Sequence, residues 1–273
     1  IVTKIVEKDN MSTPIRVFIV TYNSPHRINK CLESLFDSDF PNDGYVGVMS
    51  NHTNHGIEEK YLDRIVLFDN SCRPNWGTGH LSRSWNQCIM HGFKSLIKPE
   101  CDALMMVQDD TLFKSNWYIR ALQLIQKYDM IQQGLGDACM LITPECIRKV
   151  GMWDERFFQS RHAADFFWRC IMYTKETSSF NDNGHHRMWQ PIGQWELIKP
   201  ESRDIAENAF FGVTQEDDNI SIKLINNKYP FDPFPWTEEK ILNAPKKTMI
   251  DNYIYYPYFE KDVYNLEEKS YVV

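Results

Sequence analysis

At 273 residues the chain is long enough for one large α/β domain, or for a domain with an appended tail. Hydrophobic residues make up 42% and charged residues 25%, which are ordinary globular values, and aromatics at 14% are generous. The formal net charge of -7 argues against nucleic acid as a partner, because a polyanion demands a strong basic patch, whereas a nucleotide diphosphate needs only a few local donors.

Residues 1–13 read as a leader, an expression remnant or the junction with a longer protein. Residues 15–21, IRVFIVT, are a short, almost wholly apolar run, the pattern of a buried parallel strand. Ser24 is placed to cap a helix and Pro25 to occupy its first position. Ile28, Cys31, Leu32, Leu35 and Phe36 supply that helix with an apolar stripe. Strand, polar turn and capped helix open an α/β fold.

Second and third strands are expected at 45–49 and 63–68. The Gly, Pro and Asn content of 69–80 predicts a loop, at the kind of strand end where such folds bind ligands. Leu81, Trp85, Cys88, Ile89 and Phe93 recur at helical spacing and predict a helix over 81–97. A fourth strand over 102–107 ends at once in Gln108, Asp109 and Asp110. A helix over 117–128, a short strand over 138–142, a helix opened by Pro144 over 144–150 and another over 162–173 complete the regular pattern. Beyond residue 195 the pattern weakens, with at most a short helix within 200–217. Residues 14–195 are therefore expected to form the catalytic domain, and 196–273 an irregular extension that wraps it or leads to another domain.

Asp109 and Asp110 carry the chemistry. Two adjacent carboxylates beside a buried apolar run are costly unless something compensates their charge. A divalent cation does this well: Mg²⁺ is commonly held by one or two carboxylates plus substrate phosphates, and Mn²⁺ also favours oxygen ligands. The competing interpretation is a solvated turn at a strand end. The seven cysteines are scattered, odd in number and without a CxxC pair, so a full disulfide framework is not expected and a reducing, cytoplasmic setting fits. No run of eighteen apolar residues and no signal peptide are present, so no transmembrane segment is expected.

The opening FIVTYNSPHRINKCLESLF, the run GTGHLSRSWNQCIMHG, the strand end ALMMVQDDTLF and the run GMWDERFFQSRHAADFFWR follow one another in order over residues 14–170. Together they resemble the GT-A fold glycosyltransferases, family 2 in particular. The resemblance implies a Rossmann-like, mostly parallel sheet flanked by helices. It implies Thr21, Asn23, Asn86 and Asp109 beside a nucleotide sugar, and Asp110 on the metal. The first acid of the family's DxD motif is Gln108 here. The base-recognising acid has no direct match: Asn51 follows the second strand, and Asp69 fills the place in another register. Arg73 and His80 in or beside the long loop could meet a diphosphate, and a late histidine, His185 or His186, stands where the family places one near the metal. Trp76, Trp153 and Trp189 are candidates for stacking on a sugar.

The departure lies at the general base. Ungapped alignment puts Ala163 where the family's base acid belongs. Asp165 is the first replacement, His162 the second, with Asp154 and Glu155 behind them. The function implied is a Mn²⁺- or Mg²⁺-dependent transfer of a hexosyl or pentosyl group, with inversion, from a nucleotide-diphosphate sugar to a hydroxyl of a glycan acceptor. A nucleotidyltransferase would carry a glycine-rich phosphate loop where TYNSPHR stands, and a non-catalytic carbohydrate-binding descendant is suggested by Ala163. A dinucleotide oxidoreductase is disfavoured, because no GxGxxG follows a strand.

Overall fold

The structure is a computed structural model and describes residues 13–52, 55–70, 81–133, 137–157, 161–176, 190–192, 196–200 and 215–229. The elements run β1 (Ile15–Thr21), α1 (Pro25–Phe36), β2 (Val46–Ser50), α2 (Glu59–Leu62), β3 (Val66–Asp69), α3 (Leu81–Phe93), β4 (Ala103–Gln108), β5 (Thr111–Phe113) and α4 (Trp117–Ile125). They continue with β6 (Met130–Gln133), β7 (Cys139–Ile142), α5 (Pro144–Val150), α6 (His162–Glu176), β8 (Gln190–Ile192), β9 (Ile198–Pro200) and α7 (Gln215–Lys228).

Seven strands form one mixed sheet in the order β3-β2-β1-β4-β7-β6-β8. Neighbours pair in parallel except on either side of β7, which runs against β4 and β6. Strand β1 explains the layering. Phe18 and Val20 point into one core with Trp85, Phe93, Leu104 and Met106, under α3, α5 and α6. Ile15, Val17 and Ile19 point into the opposite core with Ile28, Leu32, Leu35 and Trp117, under α1 and α4. The period-two alternation of a strand thus feeds two separate helix layers. Helix α3 lies close on the sheet because residue 92 is glycine: a Cβ there would stand 2.4 Å from Leu104 and 3.0 Å from Phe18.

Two details differ from expectation. The hydroxyl of Ser24 does not cap α1 but donates to the carbonyl of Tyr22 at 3.0 Å, because Asn23 takes a left-handed φ of 45° and turns the chain before the helix begins. The third strand starts only at Val66, since Glu59–Leu62 close a helical turn. The segment beyond residue 195 enters the domain at two places. Strand β9 pairs antiparallel with β5, and Ile225 and Tyr229 of the α7 region join the α3–α6 core.

The chain leaves β1 for β2 on one side of the sheet and leaves β4 for β6 and then β7 on the other, so the crevice beyond the C-terminal ends of β1 and β4 is a topological switch point. Because β7 is reversed, its first residues lie at that same end, and the backbone N–H of Gln108 donates to the carbonyl of Ala138 at 3.1 Å.

Candidate active site

Asp109 and Asp110 follow β4 at the switch point. They are 8% and 7% exposed. The N–H of Asp109 donates to Val20 O at 3.1 Å, and the Thr111 hydroxyl closes the turn onto Gln108 O at 2.8 Å. Thr21 Oγ1 donates to Asp109 Oδ2 at 2.6 Å. Burial pushes the Asp109 carboxyl up to about 7; the Thr21 hydrogen bond works against this, and the neighbouring charge of Asp110 adds to it. Thr21 and Asp109, both expected beside the nucleotide, are thus in direct contact. Asn23 lies exposed on the turn that follows β1.

The ends of β1, β2 and β3 line up, with Thr21 opposite Ser50 and Ser50 opposite Asp69. Asp69 is exposed. One residue on, uncharged groups interlock. Asn51 Nδ2 donates to Ser84 Oγ at 3.1 Å, and Asn70 Nδ2 reaches both Asn51 Oδ1 and Gln87 Oε1 at 3.1 Å. The carboxamides of Asn51, Asn70 and Gln87 thus stand beside the exposed Asp69 at the ends of the first three strands.

Asn86 faces another way. Its Nδ2 donates to Trp153 O at 3.0 Å and to Glu155 Oε1 at 3.0 Å, while its Oδ1 accepts from Trp153 N at 2.8 Å. It clamps the GMWDERFF segment onto α3. Trp153 is fully buried and stacks on Phe166 at 4.5 Å, so it fills the core and is no platform for a sugar.

At the start of α6, Asp165 is 0% exposed. Its Oδ2 accepts from Arg169 Nε at 3.1 Å, and its Oδ1 accepts from the Tyr229 hydroxyl at 2.9 Å and from Lys228 Nζ at 2.5 Å. Lys228 also reaches Asp154 at 2.9 Å, and Arg156 holds Asp154 at 2.6 Å. Burial works against ionisation of Asp154, but Arg156 and Lys228 overcome it and hold the carboxyl well below its usual range. Burial also lowers the Lys228 ammonium, with Asp165 and Asp154 opposing.

His162 is 8% exposed and sits 2.8 Å, through Nε2, from Asp137 Oδ2. Asp137 also accepts from Trp85 Nε1 at 2.6 Å and from Gln108 Nε2 at 3.1 Å. Sequence reasoning missed Asp137, although an acid just ahead of the apolar strand CMLI is the same kind of signal as an acid pair behind one. It also missed Lys228 and Tyr229. Arg73, His80, His185 and His186, with Trp76 and Trp189, lie outside the described residues.

Among the described residues no three metal-ligating side chains converge. The adjacent buried carboxylates of Asp109 and Asp110 suit a hard divalent cation that takes its remaining ligands from substrate phosphates and water. The six described cysteines are buried and none is in a disulfide, and no described helix is long and apolar enough to cross a membrane.

The sequence matches no protein-family profile and no curated protein. Solved structures do match. S. aureus TarS 1-349 aligns at 14% identity over 94% of this chain and 72% of its own, with a TM-score of 0.52. The same protein in complex with UDP-GlcNAc aligns at 13% identity over 94% and 73%, with a TM-score of 0.51. The mannosyltransferase PcManGT from Pyrobaculum calidifontis, in complex with GDP-Man and Mn²⁺, aligns at 12% identity over 66% and 55%, with a TM-score of 0.48. The chain spans 46% of the longer TarS structure. The described core is a Rossmann-like α/β domain with a mixed sheet, a fold it shares with TarS.

Proposed function

We propose that this chain transfers a glycosyl group from a nucleotide-diphosphate sugar to a hydroxyl of a glycan acceptor, with a GT-A type site and inversion at the anomeric carbon. The carrying observation is the buried pair Asp109–Asp110 at the β1/β4 switch point, with Thr21 bonded to Asp109. Likeness to the fold of TarS, which is seen in complex with UDP and with UDP-GlcNAc, supports the same class of donor.

In this scheme the nucleoside lies over the ends of β1–β3, near Thr21, Asn23, Asn51 and Asp69. Asp110 would hold a Mn²⁺ or Mg²⁺ ion, with Asp109 toward the diphosphate; Arg73 and His186, expected from the sequence to meet the diphosphate and the metal, lie outside the described residues. The cation would offset the charge of the departing diphosphate. Asn86 supports the site through the backbone of Trp153. Two α6 residues compete as base. Both oxygens of Asp165 already accept from Arg169, Lys228 and Tyr229, whereas His162 keeps one ring nitrogen uncommitted among the described residues, so His162 is preferred.

The test is a donor assay. UDP-GlcNAc, UDP-glucose, UDP-galactose and GDP-mannose are each titrated calorimetrically with Mn²⁺, and release of the nucleoside diphosphate is followed. Binding of at least one donor with slow hydrolysis is expected. Failure to bind any of them with or without cation would overturn the proposal.

A further inference from the structure

We propose that Asp137 and His162 form a carboxylate–imidazole dyad in which His162 takes the proton from the acceptor hydroxyl and Asp137 positions it; this rests on the transferase function proposed above.

Asp137 is fixed by three donors on three elements. Trp85 Nε1 of α3 reaches Oδ2 at 2.6 Å, Gln108 Nε2 at the end of β4 reaches Oδ1 at 3.1 Å, and His162 Nε2 of α6 lies 2.8 Å from Oδ2. Trp85 is fully buried, so the carboxylate is anchored from the core side. Burial alone would raise the Asp137 carboxyl, but His162 and Trp85 bring it below its usual value, so the group is ionised. An ionised carboxylate only accepts hydrogen bonds. Nε2 therefore donates to Asp137, so that whenever the ring is neutral its lone pair stands on Nδ1.

His162 Nδ1 is buried and has no hydrogen-bond partner among the described residues. A buried acceptor left unpaired is costly, and a bound hydroxyl would relieve that cost. The position is also apt. Gln108, which holds Asp137, directly precedes Asp109, so one carboxylate connects the imidazole to the strand end that bears the acid pair. Arg161, just ahead of α6, takes a left-handed φ of 63°, a conformation unfavourable for a non-glycine residue, and so marks where the helix begins. Among the described residues the charged group in contact with the ring is Asp137, and Trp153 lies 5.8 Å from it between ring centres.

The proposed step balances. The acceptor oxygen forms a bond to the anomeric carbon as the bond from that carbon to the diphosphate oxygen breaks. The leaving diphosphate takes the bonding electron pair. The hydroxyl proton moves to His162 Nδ1, and the resulting imidazolium keeps its Nε2–H on Asp137. In donor hydrolysis, water takes the acceptor's place.

The experiment measures hydrolysis of UDP-GlcNAc, or of whichever donor in the panel binds, by wild type, His162→Gln, Asp137→Asn and Asp137→Glu, each with donor Kd and melting temperature. His162→Gln should lower kcat by roughly 10²–10⁴-fold with donor Kd within threefold. Asp137→Asn should lower kcat by about 10-fold or more and alter the acid limb of the pH–rate profile, and Asp137→Glu should restore part of the loss. Nitrogen NMR of His162 in wild type should show the Nε2–H tautomer, and in Asp137→Asn that preference should disappear. A His162→Gln protein that stays folded and turns over within threefold of wild type overturns the dyad. So does the Nδ1–H tautomer in wild type, a readout that survives if either variant fails to fold. Donor binding without any wild-type turnover also overturns it. A wild type that binds no donor instead overturns the transferase function itself.

Discussion

Thr21 Oγ1 donates to Asp109 Oδ2 across 2.6 Å and so ties the ends of β1 and β4 together at the centre of the sheet. The bond favours the ionised carboxylate, while burial favours the neutral acid and is the larger effect. Asp109 is therefore poised near neutrality, and a cation arriving at Asp110 would tip it to the charged form.

The first prediction follows from that balance. An unfolded aspartate ionises near its ordinary value of 3.8, and the folded Asp109 near 7. The folded state thus binds this proton more tightly, and its stabilisation is present at low pH and fades as pH rises from about 4 to about 7. Asp109 should make cation-free protein roughly 2–4 kcal/mol less stable at pH 8 than at pH 4. His91, whose pKa burial lowers, opposes this at the acid end, so the readout is a difference. Thermal melts of wild type and Asp109→Asn over pH 5–8 should diverge, with the variant losing less stability as pH rises. Parallel curves would show that Asp109 is not the titrating group.

A second prediction concerns the cation. Asp110→Asn should leave melting within a few degrees of wild type but weaken Mn²⁺-dependent donor binding by at least about 10-fold, since one charged oxygen ligand is lost. Calorimetry with and without chelator checks it. Equal donor affinity in both conditions for wild type would remove the metal from the scheme.

A third prediction separates a clamp from a ligand. Asn86→Ala removes hydrogen bonds to the backbone of Trp153 and to Glu155, and should cost roughly 2–3 kcal/mol in denaturant unfolding. Any loss of donor affinity should then follow the loss of stability. Unchanged stability with abolished donor binding would return Asn86 to direct contact with the nucleotide sugar.

The fourth prediction addresses the ionic cluster. Lys228→Met strands Asp154 and Asp165, both buried, without one of their cations. Breaking a buried pair from one side typically costs about 3–5 kcal/mol. Chemical denaturation should show this loss, and the double variant Lys228→Met with Asp165→Asn should recover part of it. If the single variant loses less than about 1 kcal/mol, the cluster is a surface-like arrangement of little weight.

Those contacts also mark where the sequence could be read and where it could not. IRVFIVT and PECIRKV became β1 and α5 with the expected limits, because apolar pattern, Pro placement and caps agreed there. Gln215–Lys228, QEDDNISIKLINNK, lacks a clean apolar stripe; it is anchored at its end by Lys228, whose side chain is 1% exposed, and by Tyr229. Met130–Gln133 is too short to announce itself, and it becomes β6 only because β7 and β8 pair with it. Asp109 and Asp110 were visible as acids ending an apolar run. The Asp137–His162 contact was not, because it joins residues 25 apart through the reversal of β7, a topological choice that no local pattern encodes.

The embrace of Asp154 and Asp165 by Lys228 has a bearing on how the chain is made. During synthesis Asp154 emerges 74 residues and Asp165 63 residues before Lys228, and domains assemble as their parts become available. At roughly 5–20 residues per second, that interval is several seconds. Until then Asp154 has Arg156 and Asp165 has Arg169 as its cation, and the cluster can be completed only once synthesis has reached residue 228.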